Sequence, residues 1–330
     1  MFAKNNSNNN GEKNVETIYR SSLRKHGYKF SSVIGKGGMS RVDEVRDLDT
    51  GELKAIKHLG TSLPPDKIDR FKKTLRRETA YDFDHPNVLK GEAVFEDNGN
   101  VFFVMPRMEK NLDHLLTDDH TYSLESLLDI IVQTAAGLNY LHQNNIIHRD
   151  LKPSNILFNK QKDGIWVVIC DFGLSQDKMA KFKTDVSRFL KGGRRAGTLS
   201  FSAPEQMHKN GKYDKRCDIY SLGRIIDVLV GKKVERTKKF VTTFQQDRKL
   251  NSLAKKIYLY KMDKPHVLDG EVRKYLPFSL LDLTLRCLQK NPKRRPPDIV
   301  QVFYELTKIQ KECRLHTGQP HGKEMLTCYG

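Results

Sequence analysis

Two short stretches hold side chains whose types and spacing suit chemistry on a charged group. In "HRDLKPSN", Asp150, Lys152 and Asn155 place a carboxylate, an ammonium and an amide within one loop. Pro153 resists helix continuation and stiffens that loop. In "VVICDFGLS" a β-branched run leads straight to Asp171, and Gly173 gives the backbone room to turn. Two acidic residues at strand edges with an amide nearby match what Mg²⁺ selects, a few hard oxygens completed by substrate phosphates. His148 fits equally a core histidine whose ring nitrogens are satisfied, and Cys170 a small packed side chain.

The third candidate is the cluster Gly35, Lys36, Gly37, Gly38, Met39 and Ser40. Ser40 stands where the last glycine of G-x-G-x-x-G belongs, and the Lys-Ser/Thr ending of a P-loop is missing. Alone, the cluster fits a phosphate cradle or a tight turn between strands.

These residues need elements to position them. "YKFSSVIGKGGMSRVDEVRD" and "GELKAIKHLG" are β-branched runs separated by "LDTGE", an antiparallel hairpin or meander. "LPPDKIDRFKKTLRRETAYDF" has Ile68, Phe71 and Leu75 on one helical face, and "NVLKGEAVFEDNGNVFFVMPRM" returns to strands with Asn98-Gly99 as the turn. Beyond "MEKNLDHLL" the chain reads as mainly helical, interrupted by the strand pair "NILF" and "IWVVIC". A β-rich lobe followed by a larger helical lobe is the expected α+β architecture. Residues 1–27, polar and Asn-rich, read as a flexible tail, and 313–330 as a C-terminal tail. Cys313, His316, His321 and Cys328 in that tail have a faint zinc-knuckle spacing, but an unstructured tail is the preferred reading.

Composition narrows the class. A hydrophobic share of 38% suits a folded chain, and runs such as "IIDVLV" are too short to span a bilayer. The opening residues do not resemble a signal peptide, and five scattered cysteines do not resemble a disulfide framework. A soluble, cytoplasmic setting is expected. The net charge of +18 favours acidic partners over neutral ones, although no aromatic-interleaved or DNA-reading segment points to nucleic acid.

Taken in order, the glycine cluster, "AIK", "HRDLKPSN", "DFG" and "GTLSFSAPE" resemble the eukaryotic-type serine/threonine protein kinases from about Tyr28 to Leu306. The resemblance implies a bilobal kinase domain over 28–312, with lobes at 28–106 and 109–312, ATP and Mg²⁺ as cofactors, and protein substrates. It makes Asp150 the acceptor of the substrate hydroxyl's proton, Lys152 a neutraliser of transferring charge, and Asn155 and Asp171 the metal ligands. Lys57 would meet the α- and β-phosphates and pair with a helix glutamate, Glu78. Ile34, Val42, Ala55 and Leu157 would enclose the adenine, with Met105 behind it and Pro106 to Met108 as the connection. The glycine stretch, Gly35 to Arg41, becomes the phosphate cover. Lys152 with Thr198 before "APE" is the serine/threonine pattern. Glu205 would pair with Arg295, and Asp218 would anchor the catalytic loop from below. A kinase-shaped nucleotide-binding scaffold is the alternative, disfavoured because Lys57, Asp150, Asn155 and Asp171 are all intact.

Two stretches depart from the family pattern. Asp82 follows Glu78 by four positions, where an apolar side chain is usual. Arg194 occupies the usual phosphorylation position of the activation segment, whose hydroxyls before Gly197 are Ser175, Thr184 and Ser187. Arg149 before the catalytic aspartate then leaves two readings: activation through phosphate at Thr184 or Ser187 or through an acidic partner, or a constitutively active kinase with a solvated basic loop.

Overall fold

A computed structural model describes residues 17–36, 40–59, 69, 84–162, 164–172, 201–207, 214–234 and 275–317. Two units divide the chain, Met1–Asp84 with Leu89–Met108, and His85–Val88 with Glu109–Gly330. The expected helix around Glu78 and the activation segment with Thr184, Ser187 and Thr198 lie outside the described residues, as do Gly37, Gly38 and Met39.

The first unit opens with helix α1, residues 17–25, followed by strands β1 (Tyr28–Lys36), β2 (Ser40–Asp47), β3 (Leu53–Leu59), β4 (Ala93–Asp97) and β5 (Asn100–Pro106). The strands form one antiparallel sheet in the order β1-β2-β3-β5-β4. Local chemistry sets its turns. Asp47 Oδ1 accepts from Asp49 N–H at 2.9 Å and Thr50 N–H at 3.0 Å, and Gly51 takes φ 73° to close that turn. Asn98 and Gly99 both adopt positive φ, 47° and 74°, which suits a two-residue hairpin.

Alternation along the strands gives the sheet two different faces. Ile56 on β3, Val45 on β2, and Phe102 and Val104 on β5 form a core with Tyr19 and Leu23 of α1. The reading of residues 1–27 as a flexible tail therefore fails at its inner end. Tyr19 and Leu23 are one helical turn apart and reach the same apolar face, which repays the ordering of a polar segment. Gly27, at φ 83°, then releases the chain into β1.

In the second unit β6 (Lys110–Asn111), β7 (Ile156–Gln161) and β8 (Gly164–Ile169) make a small sheet in that order. The unit's described α-helices are α2 (Leu112–Thr117), α3 (Leu124–Gln143), α4 (Arg216–Lys233), α5 (Phe278–Cys287) and α6 (Ile299–Thr317). Ser123 caps α3 by accepting from Ser126 N–H at 3.2 Å. α3 packs on β8, α6 and α4. At Gly137 the helix comes so close that an added Cβ would lie 2.3 Å from the Asn87 carbonyl oxygen, which itself accepts from Ile169 N–H at 2.9 Å. α4 is buried over nearly its whole length, Asp218, Arg224 and Asp227 included.

α6 continues to Thr317, so a tail beginning at 313 is also corrected. Cys313 is buried, and Arg314 reaches Asp129 of α3 at 2.7 Å. Burial pushes the Cys313 thiol up to about 12. His321 and Cys328 lie outside the described residues.

Candidate active site

The second unit assembles the catalytic-loop residues from below. Asp218, fully buried on α4, accepts from His148 N–H and Arg149 N–H at 2.7 Å each, and from the His142 ring at 2.8 Å. Burial alone would raise its pKa. The His142 hydrogen bond and the Arg149 amide outweigh that and hold the carboxyl below its ordinary range. Those amide bonds fix a strained turn, because Arg149 sits at φ 65°.

His148 is the core histidine that its position allowed. It has no exposed surface, its Nε2 faces the Cys170 carbonyl at 3.0 Å, and its Nδ1 accepts from Asp150 N–H at 3.3 Å. Those partners require the proton on Nε2. The ring thus ties the loop to the segment bearing Asp171, which is itself at φ 63°. Cys170 N–H donates to the Asn155 carbonyl at 3.0 Å, a second tie between the same segments.

Within the loop, Lys152 Nζ lies 3.1 Å from Asp150 Oδ2. The Asn155 amide nitrogen donates to the Asp150 carbonyl at 2.8 Å and stands 3.4 Å from Oδ2. Three of the four expected residues therefore meet around one carboxylate. With its nitrogen committed to Asp150, Asn155 has its side-chain oxygen left as the atom it could offer a metal. That oxygen and the Asp171 carboxylate are a hard-oxygen pair, which fits a divalent ion that keeps other positions for phosphates. Leu157 follows on β7, in register with Asn111 and Val168.

Two contacts in this neighbourhood escaped the reading of the sequence. Gln206, just after "APE", donates to the Arg149 carbonyl at 2.9 Å and accepts from Ala203 N–H at 2.9 Å. His142 belongs to the Asp218 set although it lies at the end of α3. The Glu205–Arg295 pair is present and bidentate, at 2.6 and 2.7 Å, with the guanidinium over the Tyr220 ring.

The first unit carries the residues read as nucleotide contacts. Lys57 is buried on β3, in register with Val42 of β2 and Phe103 of β5, while Ala55 is in register with Met105. Alternation puts Val42, Ala55, Lys57 and Met105 on one face, opposite Ile56 and His58. Met105 and Met108 are buried, and Ile34 is 40% exposed beside Gly35 on β1. Lys36 ends β1 and Ser40 begins β2. Arg41, read as part of the phosphate cover, turns its side chain to the other face. Its guanidinium holds Asp43 at 2.6 Å and covers the Tyr19 ring at 4.9 Å.

This two-unit arrangement, with a loop built around one carboxylate, belongs to the protein kinases. The profile of the protein kinase domain matches residues 28–305, and the chain is a member of that family. It is 32% identical to calcium-dependent protein kinase 4 of Plasmodium berghei over 245 residues, 69% of this chain and 44% of that protein. It is 31% identical to the Aurora kinase of Debaryomyces hansenii over 273 residues, 81% of this chain and 59% of that one. To serine/threonine-protein kinase polo of Drosophila melanogaster the identity is 29%, over 82% of this chain and 42% of the relative. The chain thus spans about half the length of these relatives. Among the described residues no helix is long and apolar enough to cross a membrane.

Proposed function

We propose that the chain is an active serine/threonine protein kinase that transfers the γ-phosphate of Mg-ATP to hydroxyls of protein substrates. The observation that carries this reading is the Asp150 carboxylate, held by Lys152 and Asn155 on a loop that Asp218 fixes. The substrate oxygen attacks the γ-phosphorus while Asp150 takes its proton, and ADP departs with the bonding pair. Lys152, already beside the carboxylate, offsets negative charge on the moving phosphoryl group. Asn155 and Asp171 would hold the Mg²⁺, which would supply charge neutralisation at the phosphates. Lys57 orients the α- and β-phosphates, and Ala55, Val42, Ile34, Met105 and Leu157 receive the adenine.

The charge of +18 supports acidic substrates, and the basic segment around Arg194 supports activation by phosphate at Thr184 or Ser187 or by an acidic partner. Cys217, Cys287 and Cys313 are buried, and their thiols are consistent with a reducing cytoplasm.

The test is transfer of labelled phosphate with Mg²⁺ onto peptides with acidic or basic flanks, beside Asp150→Asn. Transfer to serine and threonine, stronger with acidic flanks, should fall by about 10²–10⁴-fold in the variant. Nucleotide binding without any transfer, even after phosphorylation of the segment, would favour the scaffold.

A further inference from the structure

A polar cluster of the first unit lies on the face of the sheet that the catalytic reading leaves unused. Asp43 of β2 is fully buried. The Tyr19 hydroxyl of α1 donates to its Oδ2. Arg41 grips both carboxylate oxygens through Nε, at 2.8 and 2.9 Å, and Oδ2 again through its terminal nitrogen at 2.6 Å. His58 Nε2 lies 3.2 Å from Oδ2, and its Nδ1 is 3.0 Å from the Leu59 carbonyl. The Tyr19 ring stacks on the His58 ring at 4.6 Å, and both rings lie 5.9 Å from Phe102.

Three features make this more than packing. His58 is the chain neighbour of Lys57, so clamping its ring from two sides restricts the rotation of β3 that would swing Lys57 on the opposite face. Val42, in register with Lys57, is likewise the neighbour of Asp43, so the cluster grips both strands at that rung. Finally, the element completing it, α1, precedes the stretch 28–305 that matches the family. A fully buried carboxylate is costly unless every oxygen is satisfied, so four donor groups converging on Asp43 make a stiff, demanding unit. Burial followed by the Asp43 bond holds the Tyr19 hydroxyl far above its ordinary range, which keeps it a donor.

We propose that Tyr19 and Asp43 are positioning residues for Lys57: helix α1 is a built-in part of the nucleotide site, acting through His58 and β3 without touching nucleotide. The inference rests on the reading of Lys57 as a phosphate contact.

α1 also offers an internal control. Its second attachment joins Ser22 Oγ to Asp97 Oδ2 at 2.5 Å and Lys25 to Asp97 at 2.7 Å, at the β4–β5 turn and away from the Lys57 rung. Ser22→Ala should loosen the helix while leaving that rung intact.

The experiment measures the Kd of a fluorescent ATP analogue and the melting temperature for the full chain and for Tyr19→Phe, Asp43→Asn and Ser22→Ala. Tyr19→Phe, which keeps the ring and loses only the hydroxyl, should raise the Kd about fivefold, and Asp43→Asn more. Ser22→Ala, at a similar fall in melting temperature, should stay within about twofold of the parent. In a Lys57→Ala background the effect of Tyr19→Phe should vanish. A Kd unmoved by Tyr19→Phe, an equal rise in Ser22→Ala, or an undiminished effect without Lys57 each overturns the proposal. Should Asp43→Asn fail to fold, Tyr19→Phe decides alone. A parent that binds nucleotide but transfers no phosphate refutes the function and leaves this comparison intact; a parent that binds none refutes both.

Discussion

Asp43 and Asp218 are both fully buried carboxylates, one in each unit, and each gathers donors from several residues. The donors differ in kind. Asp218 takes two backbone amides, and these belong to a turn where Arg149 is held at positive φ. Asp43 takes only side chains, on a strand whose backbone the ladder to β1 and β3 already fixes. One carboxylate therefore dictates where a loop's backbone runs. The other fixes how side chains pack on a backbone that needs no help. Loops lack partners of their own and borrow them from a rigid helix, whereas a strand needs support only against twisting and sliding.

The comparison is sharpened most by Asp218→Asn. The amide replaces one acceptor oxygen with a donor, which then faces an N–H head-on at a fully buried position. A loss of about 3–5 kcal/mol is expected by urea unfolding, with kcat falling because Arg149 N–H and Asp150 share the displaced turn. A variant with near-parental stability and activity would show that the loop holds itself.

Asp43→Asn should cost less, about 1–3 kcal/mol, because Arg41 is partly exposed and can turn to water. Its damage should fall on nucleotide affinity and spare the affinity for peptide substrate, measured as the two KM values. Equal damage to both would erase the distinction between a carboxylate that builds a loop and one that steadies a strand.

The sequence exposed these two carboxylates unequally, for a physical reason. Asp218 sits in "DIYSLG" among motif residues in a family order, so the resemblance pointed to it together with Asp150, Lys152, Asn155, Asp171 and the Glu205–Arg295 pair. The strands and turns were also legible, since Gly51, Asn98 and Gly99 make local demands that no distant contact modifies. Asp43 lies in "RVDEV", where a carboxylate on a strand reads as a solvent-facing position. Nothing within a few residues reveals that Tyr19 and His58 will cover it. α1 was hidden for the same reason. Its polar, Asn-rich surroundings dominate any window, and the signal is only Tyr19 and Leu23 at one-turn spacing. Its partners, Val45, Ile56 and Phe102, come later in the chain. Cys313 repeats the lesson at the other end: α6 continues because α3 covers it, which local composition does not record.

Acid gives the smallest of the expected effects and separates the two sites differently. Both carboxyls have folded pKa values below the ordinary 3.8. Their stabilisation is full above that unfolded value and is lost as the pH falls through the folded values. His85, stacked on Tyr140 in the second unit, is lowered from 6.5 by burial, so it starts to cost stability earlier, as the pH falls below 6.5. Asp129 moves the other way, since burial raises it, and it partly offsets the loss. The parent's urea midpoint should therefore decline in two stages, a shallow one beginning near pH 6.5 and a steeper one below 3.8. Asp43→Asn should flatten only the lower stage, and by less than its effect at neutral pH, because a protonated carboxyl keeps its shape and one acceptor oxygen. If the lower stage is unchanged, Asp43 does not enter the folded state as a charge, and its cluster is held by Arg41 stacking and ring packing alone.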